Sequence, residues 1–225
     1  MNDYAADGSH VFETIRERAV ARKGVDHIET QGSALAPPAA DDGRVLSAIS
    51  KAVFYTGFSW KLVDRKWPGF EDAFDGFDVG WLNIRPDEFW DDRMRDPRIV
   101  RSPRRVASIR RNAAMVSELS SRYGGASAFF ASWPDDDLTG LHSFVEKQID
   151  GLGWYGSQFV LRMIGRDTFV ISPDLVAALK LAGVPIEGAG RSKKDRKVVQ
   201  DTLLRWRDQT GRSLTYLSRV VSLSL

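Results

Sequence analysis

The sequence contains no cysteine and only three histidines. Without thiols, the chain cannot form disulfide bonds, thiolate zinc fingers or iron–sulfur clusters, and it has no cysteine nucleophile. The three histidines, His10, His27 and His142, are too few and too scattered for a dense metal site. We therefore expect no structural zinc and no cofactor, and the alternative of a monovalent cation held by backbone carbonyls stays open, because such a site leaves little trace in sequence. The chain also lacks a run of about 18 apolar residues, which excludes a membrane-spanning helix.

Charge of one sign is not in excess, because 32 basic residues face 30 acidic residues in a chain of 225. Net charge alone therefore does not point to nucleic acid, and the distribution of charge must decide. With 43% hydrophobic and 28% charged residues, the composition is that of an ordinary globular protein. The first ten residues, MNDYAADGSH, lack the basic and apolar regions of a secretory signal. We expect a cytoplasmic monomer that does not bind membranes.

Apolar residues recur at helical spacing through most of the chain. Leu46, Ile49 and Val53 fall at positions i, i+3 and i+7, which is one face of an α-helix. The same pattern returns twice, at Val106, Ile109, Ala113 and Val116, and at Val199, Leu203 and Trp206. This periodicity predicts an all-α protein.

Proline near a helix start supports the same prediction. Ser102-Pro103 and Ser172-Pro173 each combine a serine N-cap with proline at the first helical position. Arg85-Pro86-Asp87-Glu88 adds acidic residues in a first turn, where they favour the helix dipole. Strand-like alternation is scarce, and Phe169-Val170-Ile171 is too short to carry a sheet.

The first 43 residues form a peripheral segment in this interpretation. Residues 12–23 predict a short charged helix with Ser9 as its N-cap. Pro37-Pro38 and the small residues of segment 32–43 indicate a flexible linker. We therefore divide the chain into an N-terminal helix with a linker, residues 1–43, and a helical domain, residues 44–225.

The most informative segment is IDGLGWYGS, residues 149–157, between predicted helices at 141–149 and 157–164. Helix, glycine hairpin and helix form a helix-hairpin-helix, here residues 141–165. Glycines allow a tight turn, and N–H groups at the start of the second helix can hold a DNA phosphate. The alternative is an αα-corner that needs glycine only to turn. The predicted DNA-contacting residues of this hairpin are Gly151, Gly153, Trp154, Tyr155, Gly156 and Ser157.

Eight arginines lie between Arg93 and Arg111, and arginine is suited to phosphate. Arg101 and Arg104 are the predicted DNA contacts in this run. The alternative is a solvated helix face that Asp91, Asp92 and Asp96 partly neutralise.

Four aromatic residues fall within seven positions, in the segment FYTGFSW, residues 54–60. They cannot all face one core, so some should line a cavity or stack on a flat ligand. Tyr55, Phe58 and Trp60 are the predicted pocket residues. A well-filled aromatic core is the alternative.

Three segments together resemble the 3-methyladenine DNA glycosylase I family. They are TGFSW at 56–60, FEDAFDGFD at 70–78 and DPRIVRSPRRVASIRRNA at 96–113. The family typically shows AGLSW, FxxAFxxFD and IIRNRxKIxAxxxNA in this order and spacing. The resemblance implies a two-lobed helix-hairpin-helix DNA glycosylase-like fold that holds double-stranded DNA in its cleft. It also implies an enzyme of base excision repair that flips out a damaged, alkylated or modified base and hydrolyses its N-glycosidic bond. An aromatic pocket would favour a cationic alkylated base through cation–π attraction.

The sequence departs from the family at three points. The family joins its termini through zinc held by Cys and His, and this chain has no cysteine. The family's base-recognising Glu, eight residues before the Trp of LSW, is replaced by Ala52. The catalytic Asp of many helix-hairpin-helix glycosylases corresponds to Ser172 in the register that we favour, and to Asp174 in a slipped register.

Asp174 and Asp64 are the candidate catalytic carboxylates, and the resemblance secures neither of them. No lysine follows the hairpin, where Tyr155 to Gln158 stand, so we expect no Schiff-base lyase. The alternative function is a non-catalytic DNA-binding protein on the same scaffold. A protein–protein module with a solvated arginine surface is a third interpretation.

Overall fold

The computed structural model describes residues 8–33 and 35–225, and the all-α prediction is confirmed. Within these residues there are thirteen α-helices and no strand. No helix in the described ranges is both long and apolar enough to cross a membrane. The helices are α1 Gly8–Lys23, α2 Val25–Ser33, α3 Asp42–Tyr55, α4 Trp60–Ala73, α5 Val79–Asn83, α6 Asp87–Arg95, α7 Pro103–Tyr123, α8 Ala126–Ser132, α9 Leu138–Gln148, α10 Trp154–Met163, α11 Pro173–Leu181, α12 Lys193–Thr210 and α13 Leu214–Leu223.

The chain folds into two compact units that are not contiguous in sequence. The central unit comprises Pro37–Trp133 and His142–Arg166. The terminal unit comprises the described residues of Met1–Ala36, together with Pro134–Leu141 and Asp167–Leu225. The chain passes from one unit to the other within α9.

In the terminal unit, α1 and α2 pack against α13, and α1 also packs against α12. Phe12 is fully buried, and its ring centroid lies 5.7 Å from that of Trp206. Arg16 joins α1 to α2 through an ion pair of 2.7 Å with Glu29. The predicted helix at 12–23 is present and begins at Gly8, one residue before the expected cap Ser9. The domain boundary at residue 43 stays a prediction.

Serine side chains cap the later helices of this unit. Ser172 Oγ accepts a hydrogen bond from the Leu175 N–H at the start of α11, as the Ser-Pro pair predicts. The Asp195 carboxylate, 2% exposed, accepts N–H bonds from Glu187 and Gly188, both of 3.1 Å. Burial raises the pKa of Asp195, but these backbone bonds outweigh it and hold the pKa below its usual value.

In the central unit, α3 packs against α7 and also contacts α4, α8 and α10. The apolar residues predicted on the faces of α3 and α7 are buried, which confirms both helical patterns. Residues 35–39 have no regular structure, but the backbone at Ala39 is held on both sides. Its N–H donates to the Ile164 carbonyl at 3.0 Å, and its carbonyl accepts from Ser127 Oγ at 2.7 Å.

Candidate functional site

The predicted hairpin lies in the central unit, between the end of α9 and the start of α10. Gly151 has a φ of +91°, and a Cβ added there would lie 2.8 Å from Val53 Cγ1. Glycine is therefore required at this position by both conformation and space. Gly153 has a φ of −99°, and an added Cβ would meet nothing within 4 Å. No packing contact therefore requires glycine at position 153, and the tip of the hairpin is open to an approaching partner.

A buried asparagine fastens this hairpin to α7. The side chain of Asn112 is 1% exposed and forms two hydrogen bonds with the backbone of Asp150. Its Nδ2 donates to the Asp150 carbonyl at 3.0 Å, and its Oδ1 accepts from the Asp150 N–H at 2.9 Å. Sequence reasoning placed Asn112 in the family motif and missed this role. The available signal was a polar residue between the apolar positions Ile109 and Ala113.

The hairpin residues differ in how far they reach the surface. Trp154 and Ser157 are buried, and Ser157 Oγ donates to the Trp154 carbonyl at 2.8 Å. Tyr155 is exposed. Helix α10 begins at Trp154, three residues before the predicted start, with Gly153 as its N-cap. Because Gly153 has no side chain to cap the helix, the first-turn N–H groups of Tyr155 and Gly156 receive no bond from that position.

The arginine run separates into paired and unpaired side chains. Arg93 and Arg98 pair with the buried Asp96, and the hydrogen bonds of Arg98 hold the Asp96 pKa below its usual value. Arg110 pairs with Asp87, and Arg111 with Asp150. Arg101 and Arg104 are exposed and have no acidic partner among the described residues. The two arginines predicted to contact DNA are therefore charges that the described part of the chain leaves uncompensated.

A small cavity of about 190 Å³ lies between the hairpin and the start of α7. Arg104, Ser108, Asp150 and Gly151 contribute to its lining. It places an unpaired guanidinium next to the backbone of the hairpin. The remaining lining residues are Val53, Thr56 and Arg105.

The rings of the predicted aromatic pocket pack on each other and do not surround a space for a ligand. The rings of Tyr55 and Trp60 stack on each other, with centroids 4.8 Å apart and an interplanar angle of 22°. No planar ligand fits between two rings at this separation, because each stacked pair needs about 3.5 Å. Trp60 is 55% exposed, and Phe159 of α10 meets it edge-on with centroids 6.0 Å apart. Trp60 therefore presents a supported stacking platform.

Phe58 belongs to a different set of contacts. Its ring stacks on Phe54, with centroids 6.2 Å apart, and the Arg105 guanidinium lies 5.0 Å from its centroid. Arg105 also donates from Nε to the Val53 carbonyl at 3.2 Å. Arg105 thereby ties the start of α7 to the end of α3 and to the aromatic segment that follows it.

The Asp64 carboxylate bonds to Tyr55, one member of the aromatic pair, and to Lys51. Its carboxylate accepts from Lys51 Nζ at 2.8 Å and from Tyr55 Oη at 2.5 Å. The Lys51 ammonium, and after it the Tyr55 hydroxyl, holds the pKa of Asp64 below its usual value. Burial, and then the carboxylate of Asp64, raises the pKa of Tyr55. The carboxylate, the ammonium and the phenol form one neutral cluster that fixes the ring under Trp60.

Further polar contacts join α3 to α4 beyond this cluster. The Lys51 ammonium lies 5.4 Å from the ring centroid of Trp67. Trp67 Nε1 donates to Glu71 at 2.9 Å, and Ser47 Oγ donates to the same carboxylate at 2.8 Å. Arg44 completes the row through an ion pair of 2.8 Å with Glu71. We use the name α3–α4 seam for this set of contacting residues, which are Arg44, Ser47, Lys51 and Tyr55 of α3 and Trp60, Asp64, Trp67 and Glu71 of α4.

Asp174 lies in the terminal unit, in the first turn of α11, and its residue is exposed. Leu175, Ala178 and Leu179 are buried, whereas Ala177 and Lys180 are exposed. This burial pattern favours the register that puts Ser172 in the position of the catalytic Asp of many helix-hairpin-helix glycosylases. Asp64 belongs to the central unit, so the two candidate carboxylates are in different units.

The zinc site of the family does not fit this chain. No three side chains of His, Asp or Glu converge on a metal position in the described ranges. His142 is fully buried inside the protein.

Comparisons with known proteins give a consistent result. A family model described as methyladenine glycosylase matches residues 35–147. The 3-methyladenine DNA glycosylase I of Staphylococcus aureus, whose structure addresses 3-methyladenine recognition, is 17% identical with a TM-score of 0.50, over 67% of this chain and 90% of that chain. No curated protein sequence matches the chain.

Two 8-oxoguanine glycosylases match over more of the chain. The enzyme of Thermotoga maritima is 16% identical with a TM-score of 0.54, over 94% of this chain and 95% of that chain. The Methanocaldococcus jannaschii glycosylase/lyase, solved with a 15mer DNA containing 8-oxoguanine, is 12% identical with a TM-score of 0.50, over 92% and 93%. These similarities show a shared helix-hairpin-helix glycosylase fold, which confirms the predicted fold class. Because the family match spans just over half of the residues, the chain belongs to the methyladenine glycosylase family.

Proposed function

We propose that this protein is a monofunctional DNA N-glycosylase that excises a damaged or modified base from double-stranded DNA. One observation carries the proposal. Asn112 binds an open glycine hairpin to α7, the helix that carries the unpaired Arg104 and follows Arg101, in the same unit as the exposed Trp60. A duplex-binding edge and a stacking platform in one unit are what base flipping requires.

The hairpin and the arginines would hold the DNA backbone. The N–H groups at the start of α10 point out of an uncapped helix end, where an anion is favoured. Arg101 and Arg104 add charges suited to phosphate. Such contacts position the duplex without reading its sequence, which suits an enzyme that must inspect many sequences.

The flipped base would stack on Trp60. Tyr55 stacks on the ring, Asp64 accepts a hydrogen bond from the Tyr55 hydroxyl, and Lys51 pairs with Asp64. Asp64 is thus a positioning residue in this proposal, because its carboxylate is already neutralised within the seam.

The reaction would be hydrolysis of the N-glycosidic bond. As the bond from C1′ to the base nitrogen breaks, its electron pair leaves with the base. A water oxygen bonds to C1′, and the proton that the water loses is available to neutralise the departing base. Because Ser172 has no carboxylate, we assign the supporting carboxylate to Asp174 two residues later, which is exposed and has no partner among the described residues. A carboxylate there would stabilise positive charge on the sugar or accept the proton of water.

A second function remains a candidate because of one specific position. Ala52, 4% exposed, stands where the family has its base-recognising Glu. A protein that kept the hairpin and arginines but lost this carboxylate would bind DNA without excising a base.

A base-release assay separates the two. The wild-type protein is incubated with duplexes that carry alkylated, oxidised, deaminated or hypermodified bases, and free base is measured by chromatography. Release of one base with an intact sugar–phosphate strand supports the glycosylase. Salt-dependent DNA binding without release of any base supports the non-catalytic protein.

A further inference from the structure

Helix α4 begins with a lysine where helices usually have an acidic residue. Lys61 is the second residue of α4, and the first turn contains no acidic residue. The side chain of Ser59, at the N-cap, forms no hydrogen bond with this turn. A positive charge at this point opposes the positive end of the helix dipole and lowers the stability of the helix. Positions that break a local stability rule in this way are commonly functional.

Lys61 and Arg65 carry positive charge that the described residues do not compensate. Both are exposed, and neither has an acidic partner in the described part of the chain. They are four positions apart on one helix, so they share a face, with about 5–6 Å between their Cβ atoms. Asp64, the acid that lies between them in sequence, is already paired with Lys51 at 2.8 Å. Two uncompensated cations therefore follow the exposed ring of Trp60 directly.

The segment that leads to Arg101 packs against the same helix. Lys66 Nζ donates a hydrogen bond of 3.2 Å to the Ile99 carbonyl. A Cβ added at Gly69 would lie 2.5 Å from the Arg98 carbonyl oxygen, so only glycine permits this close approach. The chain thus reaches Arg101, which also lacks an acidic partner among the described residues, two residues after a contact with α4.

We propose that Lys61 and Arg65 hold neighbouring phosphates of the DNA strand that carries the modified base. Two cations one helical turn apart suit successive phosphates of one strand, which arginine binds through two donors and lysine as a point charge. Because the pair follows Trp60 directly, the stacked base and the held phosphates would belong to the same strand. This inference rests on the proposed function, since it assumes that a flipped base meets Trp60.

Neutral phosphate analogues locate the contact. The probe is a duplex with one 2-aminopurine opposite an abasic analogue, because an unpaired base leaves the stack easily. Uncharged methylphosphonates replace two linkages, either beside the 2-aminopurine or opposite it on the other strand. Neutral linkages on one side of the 2-aminopurine should weaken wild-type binding by about tenfold and have no further effect in the double variant Lys61→Gln/Arg65→Gln. An equal loss from both strands, or a further tenfold loss in the double variant, overturns the inference.

A charge reversal separates a role in binding from a role in structure. Lys61→Glu places an acid in the first turn of α4, where it favours the helix dipole and faces Arg65 one turn later. We expect the midpoint of thermal unfolding to rise or stay unchanged, while affinity for the probe falls by about tenfold. Arg122→Glu is the charge-matched control, because this exposed arginine lies in the last turn of α7 and is paired with Glu118.

The reversal has three contrary outcomes. Unchanged affinity in Lys61→Glu overturns the inference, and so does an equal loss of affinity in Arg122→Glu. A parallel fall of the unfolding midpoint and of affinity in Lys61→Glu assigns this lysine to structure and overturns the inference as well.

The release assay distinguishes the two proposals. Base release by the wild type, together with full affinity in the double variant, overturns the inference and leaves the glycosylase standing. Contact of Lys61 and Arg65 with phosphates beside the 2-aminopurine, without release of any base from the panel, overturns the glycosylase and leaves the inference standing.

Discussion

Asp64 and Glu71 of the central unit are held in a different way from Asp195 and Asp174 of the terminal unit. In the α3–α4 seam of the central unit, Asp64 and Glu71 are both paired with cations, while Arg101 and Arg104, elsewhere in this unit, are exposed and have no acidic partner among the described residues. In the terminal unit, Asp195 is bound by backbone N–H groups, while Asp174 stands exposed in a first helical turn. The difference teaches that a carboxylate paired with a cation inside a contact cluster serves structure, whereas Asp174 is exposed and has no partner among the described residues.

The strongest test of this comparison removes the exposed carboxylate of Asp174 in the terminal unit. We expect Asp174→Asn to reduce base release by about 100-fold or more, as for loss of a group that acts on the reacting sugar or water. Single-turnover release measures the effect, and DNA affinity should change little. Asp64→Asn is the comparison variant from the central unit and should cost less than tenfold. Unchanged release in Asp174→Asn would reduce this residue to a helix-terminal acid that contributes about 0.3–1 kcal/mol of stability.

The stacking platform of the central unit gives the next largest effect. We expect Trp60→Ala to slow base release by about 5- to 150-fold, since stacking on one base contributes about 1–3 kcal/mol. Tyr55→Ala should approach the same loss, because it removes the support beneath Trp60. Affinity for undamaged duplex should remain nearly intact in both variants. A parallel loss of undamaged-duplex affinity would place Trp60 in the backbone contact instead.

The unpaired arginines of the central unit should govern salt dependence. Reversing Arg101 and Arg104 to Glu should weaken duplex binding by about tenfold or more and reduce the slope of affinity against salt by about two. The matched control is Arg110→Glu, because this arginine is already paired with Asp87 in the folded protein. Fluorescence anisotropy titrations over a range of salt concentrations measure both quantities. An equal change of affinity and salt dependence in Arg110→Glu would mean that the position of an arginine within the run does not matter for DNA binding.

Gly151 and Gly153 of the hairpin should respond differently to substitution, one through stability and the other through DNA affinity. Gly153→Leu adds bulk in open space, so we expect a three- to tenfold loss of duplex affinity without loss of stability, equivalent to about one hydrogen bond. Gly151→Ala meets Val53 and a positive φ, so it should lower the free energy of unfolding by about 1–3 kcal/mol. Urea unfolding and DNA titration of both variants separate the two roles. Full affinity in Gly153→Leu would remove the hairpin tip from the interface.

The smallest effect concerns acid stability of the terminal unit. The pKa of Asp195 is lowered in the folded protein, so its contribution is complete above the unfolded pKa of about 3.9 and is lost as pH falls through the folded pKa. Asp195→Asn should therefore lower the free energy of unfolding by about 1 kcal/mol at pH 7, and the difference from wild type should vanish in acid. Asp201→Asn, on the exposed side of the same helix, should change it by less than 0.5 kcal/mol. A difference that grows toward low pH would contradict the assignment.

Much of the fold follows from local signals in the sequence. The spacing of Leu46, Ile49 and Val53 gives the buried face of α3, and the Ser172-Pro173 pair gives the start of α11 with its cap. The hairpin follows from glycine at 151, whose positive φ the tight turn requires. Such signals succeed because each depends on residues close together in the chain.

The site was harder to predict because its geometry depends on distant residues. The aromatic density at 54–60 suggested rings around a ligand, but Tyr55 stacks on Trp60, and its hydroxyl bonds to Asp64 of α4, which Lys51 of α3 holds in turn. The bond between Asn112 and Asp150 joins positions 38 residues apart. Net charge likewise gave no indication of which arginines remain unpaired, since pairing depends on where Asp87 and Asp150 lie in space.

The Asn112 clamp has a consequence for how tightly a duplex would be held. Because the Asn112 amide bonds the hairpin to α7, the backbone amides of the hairpin and Arg104 of α7 are held at a fixed separation. Once a phosphate engages the hairpin, the arginines meet their own phosphates at a high effective concentration, and little further ordering is required. In the proposed complex, Asn112 would thus join two separate DNA contacts into one bivalent contact, although its own side chain is buried.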